Sequence, residues 1–190
     1  LDSLLAVLCE SEVITDDQSR EILSKAPSMK ARISRTREHW AGSTNDVSPA
    51  EIIDGFSIRT LDDKTLDEDR VQETFATSIG LPYVKIDSLK MNAKLVTSLL
   101  PRAFARKYVV LPLSEQDDLL KVAVDNPFNI QLVDDLRATT GKDVELALSS
   151  KSDILSMITD IYGFRTSVDA ASTEAESWPD IGNLEQLVRL

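Results

Sequence analysis

Gly80-Leu81-Pro82-Tyr83-Val84 opens, and Tyr162-Gly163-Phe164 closes, the stretch that decides the fold. Gly80 stops a helix that reads from Asp67 to Ser78, with Val71, Phe75 and Ile79 as its apolar stripe. Tyr83–Ile86 then reads as a short strand. Ala93–Leu100 is a helix ended by Pro101, and Arg102–Lys107 adds a further turn. Val109–Leu113 and Leu119–Val124 are β-rich runs joined by a polar loop of hairpin length, Ser114 to Asp118. After the break at Asn126-Pro127, Ile130 to Thr139 reads as a helix stopped by Gly141, and Val144–Leu148 as a strand. A last helix, capped by Ser152, runs through Ile154, Leu155, Ile158 and Ile161 and stops at Gly163. Helices interleaved with a few strands imply an α/β sandwich with a small mixed sheet. No nucleophile, metal cluster or phosphate loop lies inside it, which points to docking or sensing rather than chemistry.

Outward from this module, residues 1–26 read as two short helices. Leu1, Leu4, Leu5 and Leu8 recur at helical spacing, and Thr15 caps the second helix with Gln18 as its reciprocal partner. Neither is long enough to stand alone, so they pack on each other or on a partner. Residues 27–48 hold Pro27, Gly42 and a cluster of cations, and read as a basic flexible linker with at most a helical turn near 29–38. Residues 49–80 form a helical segment that begins at Pro49 behind the cap Ser48. Residues 81–164 are the sandwich, so the fold class is α+β: a small N-terminal helical part, then α/β. Residues 165–190 are Ser-, Ala- and acid-rich around Trp178-Pro179 and read as a linker, with an apolar pattern returning at Ile181, Leu184, Leu187 and Val188. Beginning at Leu1 and ending inside that pattern, the chain reads as a piece of a longer protein.

The chain has 190 residues, of which 42% are hydrophobic and 28% charged, as expected of a globular protein. A net charge of −11 argues against general nucleic-acid binding and against free attraction to an anionic membrane. The charge is uneven, because residues 25–39 carry a local surplus of +4. The single cysteine, Cys9, excludes an internal disulfide and any multi-cysteine metal site. No stretch approaches the ~18 consecutive apolar residues of a membrane span. No signal peptide is visible.

Taken in order, Gly80-Leu81-Pro82-Tyr83-Val84, Asp87 and Leu89, Pro101 with Phe104-Ala105, Leu111-Pro112-Leu113, Val122-Ala123-Val124 with Asn126-Pro127, Gly141 and Tyr162-Gly163 resemble the N-terminal region of the type II secretion and type IV pilus assembly ATPases (GspE/PilB-like, with an MshEN-type domain). The segment from Asp180 to Leu190 looks like the linker that precedes the motor in some of them. The resemblance implies a non-catalytic regulatory and docking region, cytoplasmic and held peripherally at a bacterial inner membrane. It would tether a hexameric motor to the cytoplasmic domain of a membrane platform protein. ATP and Mg²⁺ would belong to the motor, and no G-x-x-x-x-G-K-[ST] occurs in this chain to bind them. No cofactor or metal is therefore expected here, no direct membrane insertion, and no catalysis.

The resemblance also implies an alternative, a cyclic di-GMP sensor, since some members bind that ligand through a twofold Arg-Leu-Gly…Gly-Leu-Ile pattern. The first copy would map to residues 3–23. Leu4, Leu8, Val13 and Ile14 fit its apolar positions, but Ser3 replaces the Arg, Leu5 and Glu12 the glycines, and Ser19 a Leu. In the second copy, near residues 55–77, Gly55 stands for the Arg and Lys64 for a Gly. Arg supplies stacking and bidentate phosphate contacts, and Gly allows close backbone approach. With those residues gone, the leucines read as core and cyclic di-GMP is not the expected ligand.

Candidate partner-binding residues are Leu4, Leu8 and Ile22 as an apolar surface, with Arg32, Arg35, Arg102 and Arg106 as charged rims. Arg102 and Arg106 are four apart and share a helix face, which reads either as solvated or as a contact for an acidic partner. His39-Trp40 adds an aromatic anchor in the functional reading of the basic segment, but a lone His is no zinc site. The acidic pairs, including Asp134-Asp135 and Asp117-Asp118, read as wet helix faces and loops.

Overall fold

Local chemistry starts the helices where the sequence places them. The computed structural model describes the backbone of residues 1–40 and 46–176 and the side chains of residues 1–37 and 46–163. Helix α1 spans Asp2–Glu10 and α2 spans Asp16–Trp40. Between them Thr15 and Gln18 form the expected reciprocal cap, with Thr15 N donating to Gln18 Oε1 at 2.9 Å and Gln18 N to Thr15 Oγ1 at 3.2 Å. Helix α3, Pro49–Asp54, starts on a full capping box of Ser48 and Glu51. Helix α4, Glu68–Ser78, starts on Asp67, whose side chain accepts from Arg70 N. Gly80 follows α4 in the left-handed region, with φ 71°.

Three differences from the sequence reading have physical causes. The linker expected over 27–48 is helix as far as Trp40, with Pro27 inside α2. An interior proline forfeits a backbone hydrogen bond and costs ~3 kcal/mol. The offset is a stripe at helical spacing: Ile22, Ala26 and Met29 are buried, and half-buried Ile33 packs on the same cluster as Val47 and Ile52. Each buried aliphatic side chain contributes roughly 1.5–3 kcal/mol. Helical structure also passes Gly163 to Glu176, so the stop placed at Gly163 is not used. A glycine ends a helix by adopting positive φ, and Gly163 does not. The strand expected over Tyr83–Ile86 shrinks to one parallel bridge between Tyr83 and Leu148. Its partner strand ends at Leu148, so no backbone remains to pair with. The apolar pattern expected near residues 181–188 lies outside the described residues.

The sandwich follows as α5 (Ala93–Leu99), α6 (Arg102–Tyr108), β1 (Val110–Gln116), β2 (Leu119–Val124), α7 (Ile130–Thr140), β3 (Asp143–Leu148) and α8 (Lys151–Glu176). Strand β1 runs further than expected and Val109 caps α6 at φ 49°, so the hairpin turn is confined to Asp117-Asp118. The sheet order is β1-β2-β3, with β1 antiparallel and β3 parallel to β2. Strand alternation sorts the side chains. Leu120, Val122 and Val124 face Leu132 and Leu136 of α7, while Leu111 and Ala123 face Ile154 and Ile158 of α8. This is the expected α+β fold, a mixed three-stranded sheet between helices. A separate core of Leu4, Leu5, Leu8, Ile22, Ile53, Leu66 and Val71 holds the N-terminal helices together.

Candidate functional site

The seam between the helical part and the sandwich concentrates the buried polar groups. Its central residue is Glu68, at the start of α4. Glu68 Oε1 accepts from Lys151 N at 2.7 Å, and Oε2 accepts from Ser152 Oγ at 2.6 Å. A carboxylate from one half of the molecule thus caps the first turn of α8 in the other half. The aligned peptide dipoles of that turn favour a negative charge there. Sequence reading gave that cap to Ser152. Instead the Ser152 hydroxyl donates to Glu68, and nothing local in the sequence marks a partner 84 positions away.

Around this cap lie four more charges. Lys151 is 3% exposed, and its ammonium donates to the Asp46 carbonyl and lies 3.5 Å from Glu51 Oε2. Glu51 also pairs with Arg37 of α2 and accepts from Ser48 N at 2.7 Å. Asp125, at the end of β2, is half-buried, and Gln72 of α4 donates to its carbonyl at 3.1 Å. Burial, offset in part by Lys151, pushes the Asp125 carboxyl up to about 6. Burial raises the Glu68 carboxyl as well, against the hydrogen bonds from Ser152 and Lys151. Burial lowers the Lys151 ammonium despite nearby Asp125. Next to Glu68 in the first turn of α4, Tyr83 Oη donates to Asp69 at 2.7 Å, and Lys85 bridges Asp69 and Asp153.

Beside the network opens a cavity of about 640 Å³, within the size range of small-ligand sites. Its apolar wall includes Leu4, Val47, Pro49, Phe75 and Phe128, with Phe75 and Phe128 edge-to-face at 6.1 Å. Its polar wall includes Ser3, Gln72, Lys107, Asp125, Asn126 and Lys151. Among the described residues no group of His, Cys, Asp or Glu is placed to hold a metal ion. No helix among them is long and apolar enough to cross a membrane.

The residues proposed for partner binding do not converge. Leu8 and Ile22 have no exposed surface and Leu4 is buried in the same core, so the apolar docking surface assigned to them is corrected to core packing. Helical spacing alone does not distinguish a face turned to a partner from one turned to a neighbouring helix. Arg32 and Arg35 are exposed on α2, where Arg32 Nη2 donates to the Gly55 carbonyl at 3.0 Å. Arg102 is exposed and Arg106 half-buried on α6, in the sandwich. Of the network residues, Glu68 had a visible signal in the acidic start Asp67-Glu68-Asp69, and Asp125 as an acid directly after the apolar run Val122-Ala123-Val124.

Residues 79–168 match the family model of the MshEN domain. The chain is 27% identical over 97 residues to the type IV pilus assembly ATPase PilB of Myxococcus xanthus, and 25% identical over 128 residues to the type IV pilus assembly ATPase TfpB of Acinetobacter baylyi. Those alignments cover 51% and 67% of this chain but only 17% and 22% of the relatives, so the chain spans about a fifth of their length. The solved structure of MshE with cdg shares the fold at TM-score 0.53 and 17% identity, over 84% of this chain and 98% of that one. The match to the MshEN domain takes in α5, α6, the whole sheet, α7 and the first two-thirds of α8.

Proposed function

We infer that this chain is a non-catalytic N-terminal regulatory and docking region of a secretion or pilus ATPase. It tethers a motor to the cytoplasmic domain of an inner-membrane platform protein. The observation that carries the reading is the MshEN domain at residues 79–168, in a chain that aligns with about a fifth of two pilus assembly ATPases. The polar groups of the seam support it, because they are spent on each other. Glu68 caps a helix, Lys151 holds Glu51 and the Asp46 carbonyl, and Arg37 holds Glu51. Groups so engaged fix one half of the molecule against the other. The test is calorimetric titration of the chain with the cytoplasmic domain of its cognate platform protein. Saturable micromolar or tighter binding is the expected result. A flat trace from two folded proteins overturns binary docking.

A second reading is favoured by the likeness to MshE, solved with cdg: this chain senses cyclic di-GMP in the cavity beside the seam. Ser3 and Leu4, the first positions of the repeated pattern, do line that cavity. The fit is partial. Ser3 brings no guanidinium, Leu5 is core, and Glu12 keeps a glycine-like φ of 53° without glycine's small size. The cations at the wall are Lys107 and the already engaged Lys151. Titration with cyclic di-GMP separates the readings. Saturation that Ser3→Trp abolishes supports sensing, and no heat at millimolar ligand removes it.

A further inference from the structure

Residues 88–114 hold five cations, Lys90, Lys94, Arg102, Arg106 and Lys107, and no Asp or Glu, in a chain whose net charge is −11. The rest of the chain therefore carries −16. The fold turns this run outward. Helix α5 gives Val96, Leu99 and Leu100 to the cores, and α6 gives Phe104, Ala105 and Tyr108. The solvent ridge left over carries Lys94 and Ser98 on α5, and Arg102, Ala103 and Lys107 on α6. Tyr162 of α8 pins the end of α5 by donating to the Val96 and Leu100 carbonyls, so the two helices are held as one surface. Neither Lys94 nor Arg102 pairs with a carboxylate among the described residues, and Lys107 rests 4.7 Å above the Tyr108 ring. Leu89, at the entry to α5, is 93% exposed.

We propose that the outer face of α5 and α6, with Leu89 at its edge, binds an acidic segment of a partner protein. This rests on the docking reading and names its surface. Leu89 supplies an exposed apolar anchor beside the Lys90–Asp87 pair, and Lys94 and Arg102, neither on a carboxylate among the described residues, supply charge-selective flanks. A lipid surface fits less well. The apolar faces of both seven-residue helices are already buried in the sandwich, which leaves Leu89 alone to insert. The −16 carried elsewhere also repels an anionic bilayer.

The test titrates the whole chain with the platform protein's cytoplasmic domain and repeats it with two variants. Lys94→Glu/Arg102→Glu inverts the proposed surface. Arg20→Glu/Arg137→Glu inverts two exposed cations elsewhere, on α2 and α7, and changes the net charge equally. Thermal melts establish that both variants fold. The expected result is at least a tenfold loss for the first pair, less than threefold for the second, and a steep weakening with salt. Equal losses, or none, overturn the proposal and leave docking intact. If the unaltered chain does not bind, docking has failed and a decaglutamate peptide becomes the probe, read by amide NMR shifts. Shifts confined to residues 89–107 and absent in the first variant support the surface, and shifts elsewhere or none overturn it. Capture by phosphatidylglycerol vesicles without peptide binding overturns it in favour of lipid.

Discussion

Asp125 follows a buried strand directly and faces Lys151 and Glu68 across the seam, with Gln72 on its own carbonyl. Its carboxyl is raised to about 6 from 3.8, so the folded state holds a proton that the unfolded state has lost. Stability therefore falls as pH rises between about 4 and 6, and the Asp125 contribution is constant above that. Asp125→Asn removes the cost of ionisation. The expected outcome is a Tm above that of the parent at pH 7.5, with the difference closing by pH 4.5, read by thermal melts across that range. Glu12 presents a different strain, a left-handed φ of 53° in the turn after α1. Glu12→Gly relieves it, and a gain of up to ~1 kcal/mol in denaturant unfolding is expected. Much at this scale was legible in sequence. The Ser48, Thr15 and Asp67 caps and the Gly80 and Gly141 stops lie where local chemistry put them. Lys151 was not legible, because its burial depends on Glu51 and Asp46, a hundred positions away.

At the scale of elements, α2 and α8 are where the reading and the structure part. In α2 the breaker Pro27 and the neighbouring cations concealed the stripe Ile22, Ala26, Met29 and Ile33, which is visible once helical spacing is followed through the proline. Local propensity lost to packing. Pro27→Ala restores a backbone donor within an intact helix, and a stabilisation of about 1–3 kcal/mol is expected from denaturant unfolding. Helix α8 depends on α4 for its start. Glu68→Ala leaves the Lys151 and Ser152 donors unpaired in a buried seam. A loss of ~2 kcal/mol is expected, with early hydrogen exchange of the first turn of α8 as its local signature.

Across the whole molecule, two cores meet at one charged seam. The sequence order of helices and strands was enough to specify the sandwich from Val109 to Ile161, because those β-rich runs and helical stripes are separated by turn signals, whereas Tyr83–Ile86 and the end of α8 depart from the reading. The joint between the halves was hidden, since it is made of pairings between residues 53 to 105 positions apart. Deleting residues 1–25 is consequently a poor probe of docking. Those residues supply Leu5, Leu8 and Ile22 to the N-terminal core, and their removal unfolds that half. Lys151→Met tests the joint directly. It leaves Glu51, Asp125 and Glu68 without their buried cation, and a loss of about 3 kcal/mol is expected, together with protease cleavage between the halves while the sheet stays protected.

The cap that α4 places on α8 also has a mechanical side. Helix α8 has 26 residues, so at ~1.5 Å per residue it is a rod about 39 Å long, with its first turn fastened to the helical part and Ile154, Ile158 and Tyr162 seated on the sandwich. A tilt of ~5° between the N-terminal helices and the sandwich about that fastened turn moves the far end of α8 through roughly 3 Å, the width of a hydrogen bond. The Glu68 carboxylate is in that sense a pivot, and α8 a pointer that magnifies small tilts of the N-terminal helices.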